Sequence, residues 1–223
     1  MANVILLRHG QSQWNKLNLF TGWVDIPLSY GGISEALEAG DKLKEICFDR
    51  VYTSLLIRSI QTAMIALSKN SCGKTPVIMH DKNRMNLWAN IENKKIDILP
   101  VYEYEELNER YYGLLQGQNK EEMSEIYSKE VVHRWRRSYS VKPPKGESLE
   151  DNCKRTIPFI ESILNNIKQD ENILISAHGN SLRSIIMHME NLSKDEIIKV
   201  EVPTGVPILY EIKDKKVNMK KYL

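Results

Sequence analysis

Cysteine is scarce in this 223-residue chain: Cys47, Cys72 and Cys153 stand far apart, with no C-x-x-C pair among them. Neither a disulfide framework nor a zinc site is expected from that spacing, which fits a reducing cytosol. Long apolar runs are absent too; nothing approaches the roughly 20 residues needed to cross a bilayer. The opening "MANVILLRHG" lacks a basic n-region and a small-residue cleavage site, so no signal peptide is expected and the cytoplasm is the expected compartment. Nor is there an excess of charge. With 31 basic and 29 acidic side chains the formal balance is +2, which excludes the broad positive field of a nucleic-acid binder and makes any strong positive potential local. No D-x-D motif or carboxylate cluster suggests a magnesium site, and no metal is expected.

What is present is an alternation of short apolar strands and amphipathic helices. Hydrophobic residues at 42% and charged residues at 27% are ordinary for a soluble domain, and the length suits one domain over residues 1–223. Val4 to Leu7 is a continuous aliphatic run, as expected of a strand buried on both faces of a parallel sheet. "GGISEALEAGDKLKEI" places Ile33, Leu37, Leu43 and Ile46 near helical spacing; "FDRVYTS" reads as a strand and "LLIRSIQTAMIALSK" as a helix. "TPVIMH" reads as another strand, and Asp81 to Asp97 as a loop or short helix. Ser148, with Asp151 three residues on, predicts a capped long helix through Pro158. "ILISAHG" then leads into a helix that Asn180 or Ser181 could cap, and "VPILYEI" and "KVNMKKYL" predict closing strands near the sheet edge. The expected class is α/β, a three-layer sandwich with a mainly parallel central sheet.

The chemistry gathers at strand ends. "VILLRHG" and "ILISAHG" are both apolar strands ending in His-Gly, and on parallel neighbouring strands His9 and His178 emerge at one edge, where ligands of such sheets bind. Arg8 precedes the first histidine, and Arg58 follows the strand "RVYTS" by a few residues. Two guanidinium groups, two imidazoles and a helix N-terminus make an anion trap, with phosphate the natural ligand. Nearby positive charge keeps His9 neutral and able to attack phosphorus. The equatorial phosphoryl oxygens then fall to Arg8, Arg58 and His178. A proton donor is also required, and "EELNERYYG" offers Glu105, Glu106 and Glu109 without choosing among them. "HRWRRSY" clusters Arg134, Arg136 and Arg137, either as a second anion clamp or as a solvated basic helix face.

At these residues the chain resembles the cofactor-dependent phosphoglycerate mutases of the histidine phosphatase superfamily. "LLRHGQSQWN", "FTGWVDIPLS", "YTSLLIRSIQTA", "LNERYYGLLQGQNK", "WRRSY", "AHGNSLR" and "VPTGVP" recur in the family's order over nearly the whole length. The resemblance implies a phosphoglycerate mutase-like fold in which His9 is phosphorylated and Glu109 is the proton donor and acceptor. Arg8, Arg58, His178 and Asn15 would hold the transferred phosphoryl group, with a backbone contact from Gly179. Ser12, Thr21, Gly22, Tyr112, Lys120, Arg136, Arg137 and Asn180 would bind the rest of the substrate, the arginine forks suiting planar anions.

The implied reaction interconverts 3-phosphoglycerate and 2-phosphoglycerate, small phosphorylated three-carbon acids, in glycolysis and gluconeogenesis. 2,3-Bisphosphoglycerate is the implied primer, and a homodimer the implied assembly. The chain departs from the family pattern at Gln11, usually Glu, and at Tyr111, usually His. The segment from Ser71 to Asp97 is longer than usual, the insertion between Pro144 and Glu147 is nearly absent, and a C-terminal tail beyond Leu223 is missing. Since a lid excludes water, mutase activity with measurable hydrolysis of the bisphosphate is the expectation. The rival readings are a phosphomonoester phosphatase on the same scaffold and an anion-binding protein that has lost turnover.

Overall fold

The computed structural model describes residues 1–80, 84–85 and 97–223. Among the described residues the strands are β1 (Ala2–Arg8), β2 (Arg50–Thr53), β3 (Thr75–Ile78), β4 (Ile98–Glu103), β5 (Asn172–Ala177), β6 (Pro207–Lys213) and β7 (Lys216–Tyr222). They form one sheet in the order β3-β4-β2-β5-β1-β6-β7. The first five in that order run parallel, and β6 and β7 close the sheet antiparallel. The main helices are α1 (Gln13–Lys16), α2 (Tyr30–Leu43), α3 (Ile57–Leu67), α4 (Lys120–Tyr127), α5 (Lys129–Arg137), α6 (Leu149–Asn166), α7 (Gly179–Met189) and α8 (Lys194–Ile197).

Strand alternation sorts the core into two layers, as period-2 side chains require. Val4 and Leu6 of β1 join Ile173 and Ile175 of β5, Phe159 and Ile160 of α6 and Leu182 and Ile186 of α7 on one face. Ile5 and Leu7 join Leu174, Val51, Ala39, Leu43, Ala63 and Leu67 of β5, β2, α2 and α3 on the other. The three-layer α/β sandwich with a mainly parallel sheet is therefore the fold. The centre of the sheet is where β1 and β5 pair in register, Arg8 opposite Ala177.

Several expectations need correction. Cys47 and Cys72 form a disulfide, with Cα atoms 5.4 Å apart, and only Cys153 is free, buried against α7. Chain spacing cannot show this pairing, because it depends on α2 and α3 lying side by side. Gly40 packs so closely on Ala66 that a Cβ there would meet its carbonyl, and the turns after the two helices then meet. Within α2 the buried stripe is Gly32, Ala36, Ala39, Gly40 and Leu43, while Ile33 and Leu37 are exposed. Small residues face inward because α3 approaches closely. β4 was not expected; Pro100 interrupts its pattern, as a proline within a strand commonly argues against one. The cap of α7 is His178 itself, whose N–H donates to Ser181 Oγ at 3.1 Å. Ser148 does cap α6, with Asp151 completing a reciprocal box. The loop or short-helix expectation for Asp81 to Asp97 falls almost wholly outside the described residues.

Candidate active site

β1 and β5 end side by side, so His9 and His178 leave the sheet together, their ring centroids 4.9 Å apart. Both are buried. His9 is fixed by its own loop, with Nδ1 2.7 Å from the Gly10 carbonyl. A carbonyl can only accept, so Nδ1 carries the proton and Nε2 keeps its lone pair. Burial, then the charges of Arg58 and Arg8, hold the His9 imidazole well below its ordinary pKa. Burial, Arg58 and His9 do the same to His178.

Around them lies a cavity of about 140 Å³, lined by Arg8, His9, Asn15, Phe20, Thr21, Gly22, Arg58, Glu109, Tyr112 and Lys120, and further by Arg136, Arg137, Gly179, Asn180, Arg183, Glu201 and Val202. The sequence motifs serve to build it. The loop of "VPTGVP" holds Arg8: its Nη1 donates to the Val202 carbonyl at 2.6 Å, and Gly205 N–H donates back to the Arg8 carbonyl at 3.1 Å. Arg8 Nε is buried with no partner among the described residues, leaving a donor for a ligand. The loop of "FTGWVD" holds Arg58, whose guanidinium donates to the carbonyls of Gly22 at 2.7 Å and Val24 at 3.0 Å. Gly179 packs against Arg8, where a Cβ would lie 3.4 Å from the guanidinium carbon.

Glu109 is pinned through its backbone. Trp23 Nε1 and Arg155 Nη2 both donate to its carbonyl, at 2.5 and 3.0 Å. Its Oε1 accepts from Arg110 N–H at 2.7 Å, from Asn180 N–H at 3.2 Å and from Asn180 Nδ2 at 2.9 Å. The three glutamates left open by the sequence are thus separated by geometry: only Glu109 lines the cavity, whereas Glu105 and Glu106 present carbonyls to Arg155. Of the basic cluster, Arg136 and Arg137 line the cavity and Arg134 does not.

Two expected residues do not line the cavity. Ser12 caps α1, exchanging hydrogen bonds of 3.1 Å with Asn15, and has no place on the cavity wall. His178 is fully buried directly beside His9, its Nδ1 unpartnered among the described residues, so a phosphoryl group on His9 is within its reach although His178 does not line the open cavity. The unusual Gln11 and Tyr111 are also off the wall. Gln11 Oε1 accepts from Ser29 Oγ, the cap of α2, at 2.8 Å, and Tyr111 packs edge-on against Trp23 at the surface. Sequence reasoning missed Arg183, Glu201 and the buried Arg110. Arg183 stands three residues after Asn180 on the same helix, a spacing that could have found it. Glu201, paired with Arg137 at 2.7 Å, carries no local signal.

The cations press on one another. Burial, then Arg136 and Arg8, lowers Lys120 to about 8; burial lowers Arg58 to about 10, and burial with Arg137 and Arg110 lowers Arg183 to about 10. Such a cluster gains from binding an anion. Among the described residues no group of three or more His, Cys, Asp or Glu could hold a metal ion, and no helix is long and apolar enough to cross a membrane.

A neutral histidine with a free Nε2 at a strand end, arginines beside it and a carboxyl on the same cavity define a phosphoryl-transfer site built on an α/β sheet. Residues 4–84 and 77–222 match the histidine phosphatase superfamily (branch 1), and the chain belongs to it. It is 53% identical over 215 residues, 95% of both chains, to the 2,3-bisphosphoglycerate-dependent phosphoglycerate mutase of Protochlamydia amoebophila. It is 48% identical to the protein of that name from Methanococcus vannielii, covering 100% of this chain and 96% of that one. Among solved structures, Bacillus stearothermophilus YhfR superposes with a TM-score of 0.76 at 21% identity, covering 98% of this chain and 95% of that one. The alpha-ribazole phosphatase of Shigella flexneri superposes at 0.74 with 23% identity, covering 96% and 93%. At those identities the structural likenesses concern the fold alone.

Proposed function

We propose that this protein interconverts 3-phosphoglycerate and 2-phosphoglycerate by way of a phosphorylated His9, with 2,3-bisphosphoglycerate as the primer. The carrying observation is that the His9 cavity holds a second cationic group, Lys120, Arg136, Arg137 and Arg183, beyond what one phosphoryl group needs. A ligand with anions at two separated positions fits that arrangement, and relatives near 50% identity over almost the full length bear the mutase name.

In the reaction so read, His9 Nε2 attacks phosphorus, the P–O bond breaks, and protonated Glu109 gives its proton to the leaving oxygen. In the other direction Glu109 takes the proton of the substrate hydroxyl as that oxygen attacks phosphorus. The P–N bond breaks and its electron pair returns to Nε2. Arg8, Arg58, His178, Asn15 and the Gly179 backbone stabilise the equatorial oxygens in transfer. Lys120, Arg136, Arg137, Tyr112, Thr21, Gly22 and Asn180 hold the remaining carboxylate and phosphate. The fit of the bisphosphate rests on Arg8 Nε, unpartnered among the described residues, which the transferred phosphoryl group would satisfy, and on the lowered Lys120, which a second anionic group would satisfy. When bound, the bisphosphate supplies the phosphoryl group that charges His9.

We further read residues 1–223 as a single catalytic domain that acts in the cytoplasm on small phosphorylated three-carbon acids, as a homodimer. The substrates support the compartment, and the open outer edge of β7 supports pairing.

Incubating the protein with 3-phosphoglycerate, with and without 2,3-bisphosphoglycerate, tests the function. Conversion to 2-phosphoglycerate that depends on the bisphosphate is expected. Free phosphate with no 2-phosphoglycerate would establish the phosphatase reading instead.

A further inference from the structure

The mechanism uses His178 as a donor to the phosphoryl group, yet nothing in the cavity fixes which ring nitrogen carries the proton. The answer lies behind the ring. His178 Nε2 is 2.6 Å from Ser54 Oγ, and Ser54 Oγ is 2.7 Å from Ser59 Oγ. All three residues are completely buried. His178 Nδ1 has no partner among the described residues, so it is the ring nitrogen left to meet a ligand.

Two directions of hydrogen bonding satisfy the three groups. In one, Nε2–H donates to Ser54, Ser54 donates to Ser59, and Ser59 donates to the Leu56 carbonyl at 3.0 Å. Nδ1 is then a bare lone pair, which repels an anion. In the other, Ser59 donates to Ser54, and Ser54 donates to Nε2 while still accepting the Leu56 N–H at 3.1 Å. Ser54 uses its proton and both lone pairs in either direction; only in the second does Nδ1 carry the proton that an anion requires. Burial among arginines keeps the imidazole neutral, so it has one N–H to place.

We infer that Ser54, backed by Ser59, is a positioning residue that fixes His178 as the Nδ1–H tautomer and thereby makes it a donor to the phosphoryl group in transfer. The chain begins at two places the fold holds rigid. Ser54 follows the last residue of β2, and Ser59 lies in the first turn of α3, where its carbonyl accepts from Ser176 Oγ of β5 at 2.9 Å. Neither hydroxyl touches the substrate; they act through the imidazole. The inference rests on the proposed phosphoryl-transfer reading.

The test is ¹⁵N NMR of histidine-labelled protein with inorganic phosphate as the probe, combined with kinetics of Ser54 variants. Wild type with phosphate should show His178 protonated at Nδ1 and bare at Nε2. Ser54→Ala should show both tautomers and lose about tenfold to a hundredfold in kcat, with KM changed less than about threefold. Ser54→Thr, which keeps the hydroxyl, should recover most of kcat. An Nε2–H or doubly protonated His178 in phosphate-bound wild type overturns the inference, as does unchanged kcat in a folded Ser54→Ala. If Ser54→Ala does not fold, the wild-type tautomer decides alone. Absence of mutase turnover in wild type counts against the functional reading and leaves the tautomer result to judge this one.

Discussion

Burial and the charges of Arg136 and Arg8 bring the Lys120 ammonium down to about 8, within reach of ordinary assays. An anion binds its charged form, so affinity should be flat below pH 8 and fall as pH rises through it. In Lys120→Gln that alkaline limb should vanish, with weaker binding at every pH; titration calorimetry from pH 7 to 9 checks both. Glu109 is held by Trp23, Arg155 and Asn180 whether or not its own carboxyl can exchange a proton. Glu109→Gln should therefore keep ligand affinity and lose about 10²–10⁴-fold in turnover, as steady-state kinetics would show. At this scale much was legible in the sequence. His9, His178 and Arg58 stand at strand ends or just beyond, and strand ends of a parallel sheet are where a site forms. Ser12 was not legible, because a hydroxyl that caps a four-residue helix looks the same in sequence as one that binds substrate.

Between elements, the Cys47–Cys72 bond ties the turn after α2 to the turn leading into β3, closing a loop with a sequence separation of 25. A cross-link of that span contributes about 3 kcal/mol in the chain-entropy account. Denatured, unreduced protein should expose one reactive thiol, Cys153. Reduction, or the Cys47→Ser change, should lower Tm by up to roughly 10 °C with little effect on turnover, because the bond lies away from the His9 cavity. Thiol titration and thermal melts measure these. Thiol trapping in intact cells would also decide between the cytoplasmic reading and the oxidising setting that such bonds favour. Elements with strong local signals were readable: Ser148 and Asp151 marked the start of α6, and the aliphatic runs marked β1 and β5. β4 and the inward face of α2 were not. The first hides behind Pro100, and the second depends on α3 lying close enough to exclude anything larger than alanine along most of the contact.

For the molecule as a whole, two histidines are buried neutral. Their unfolded value is 6.5 and their folded values lie well below it, so beneath pH 6.5 the unfolded chain binds protons that the folded one does not. Stability should be level with respect to these groups above pH 6.5 and fall progressively as pH is lowered. Thermal melts between pH 5 and 7.5 test this, and in His9→Gln the slope between pH 5 and 6.5 should be about halved. Inorganic phosphate should raise Tm by mass action, since the cavity exists only in the folded state. The layer order and strand direction could be anticipated from alternation alone. The way the cavity recruits Glu201 and Val202, from beyond α8, could not, because that loop is brought to Arg8 only when the whole sheet is assembled.

The in-register pairing of β1 and β5 has a bearing on how such a site can change over time. Backbone hydrogen bonds, not side-chain packing, set the separation of His9 and His178, so the sheet works as a ruler whose graduations are peptide units. Point substitutions along either strand leave the graduations alone. Adding or removing one residue slips the scale by a notch and turns the histidine to the other face. The composition of these strands can change wherever the two core layers still pack, whereas a change of length displaces the histidine, so variety enters more readily through the loops between them.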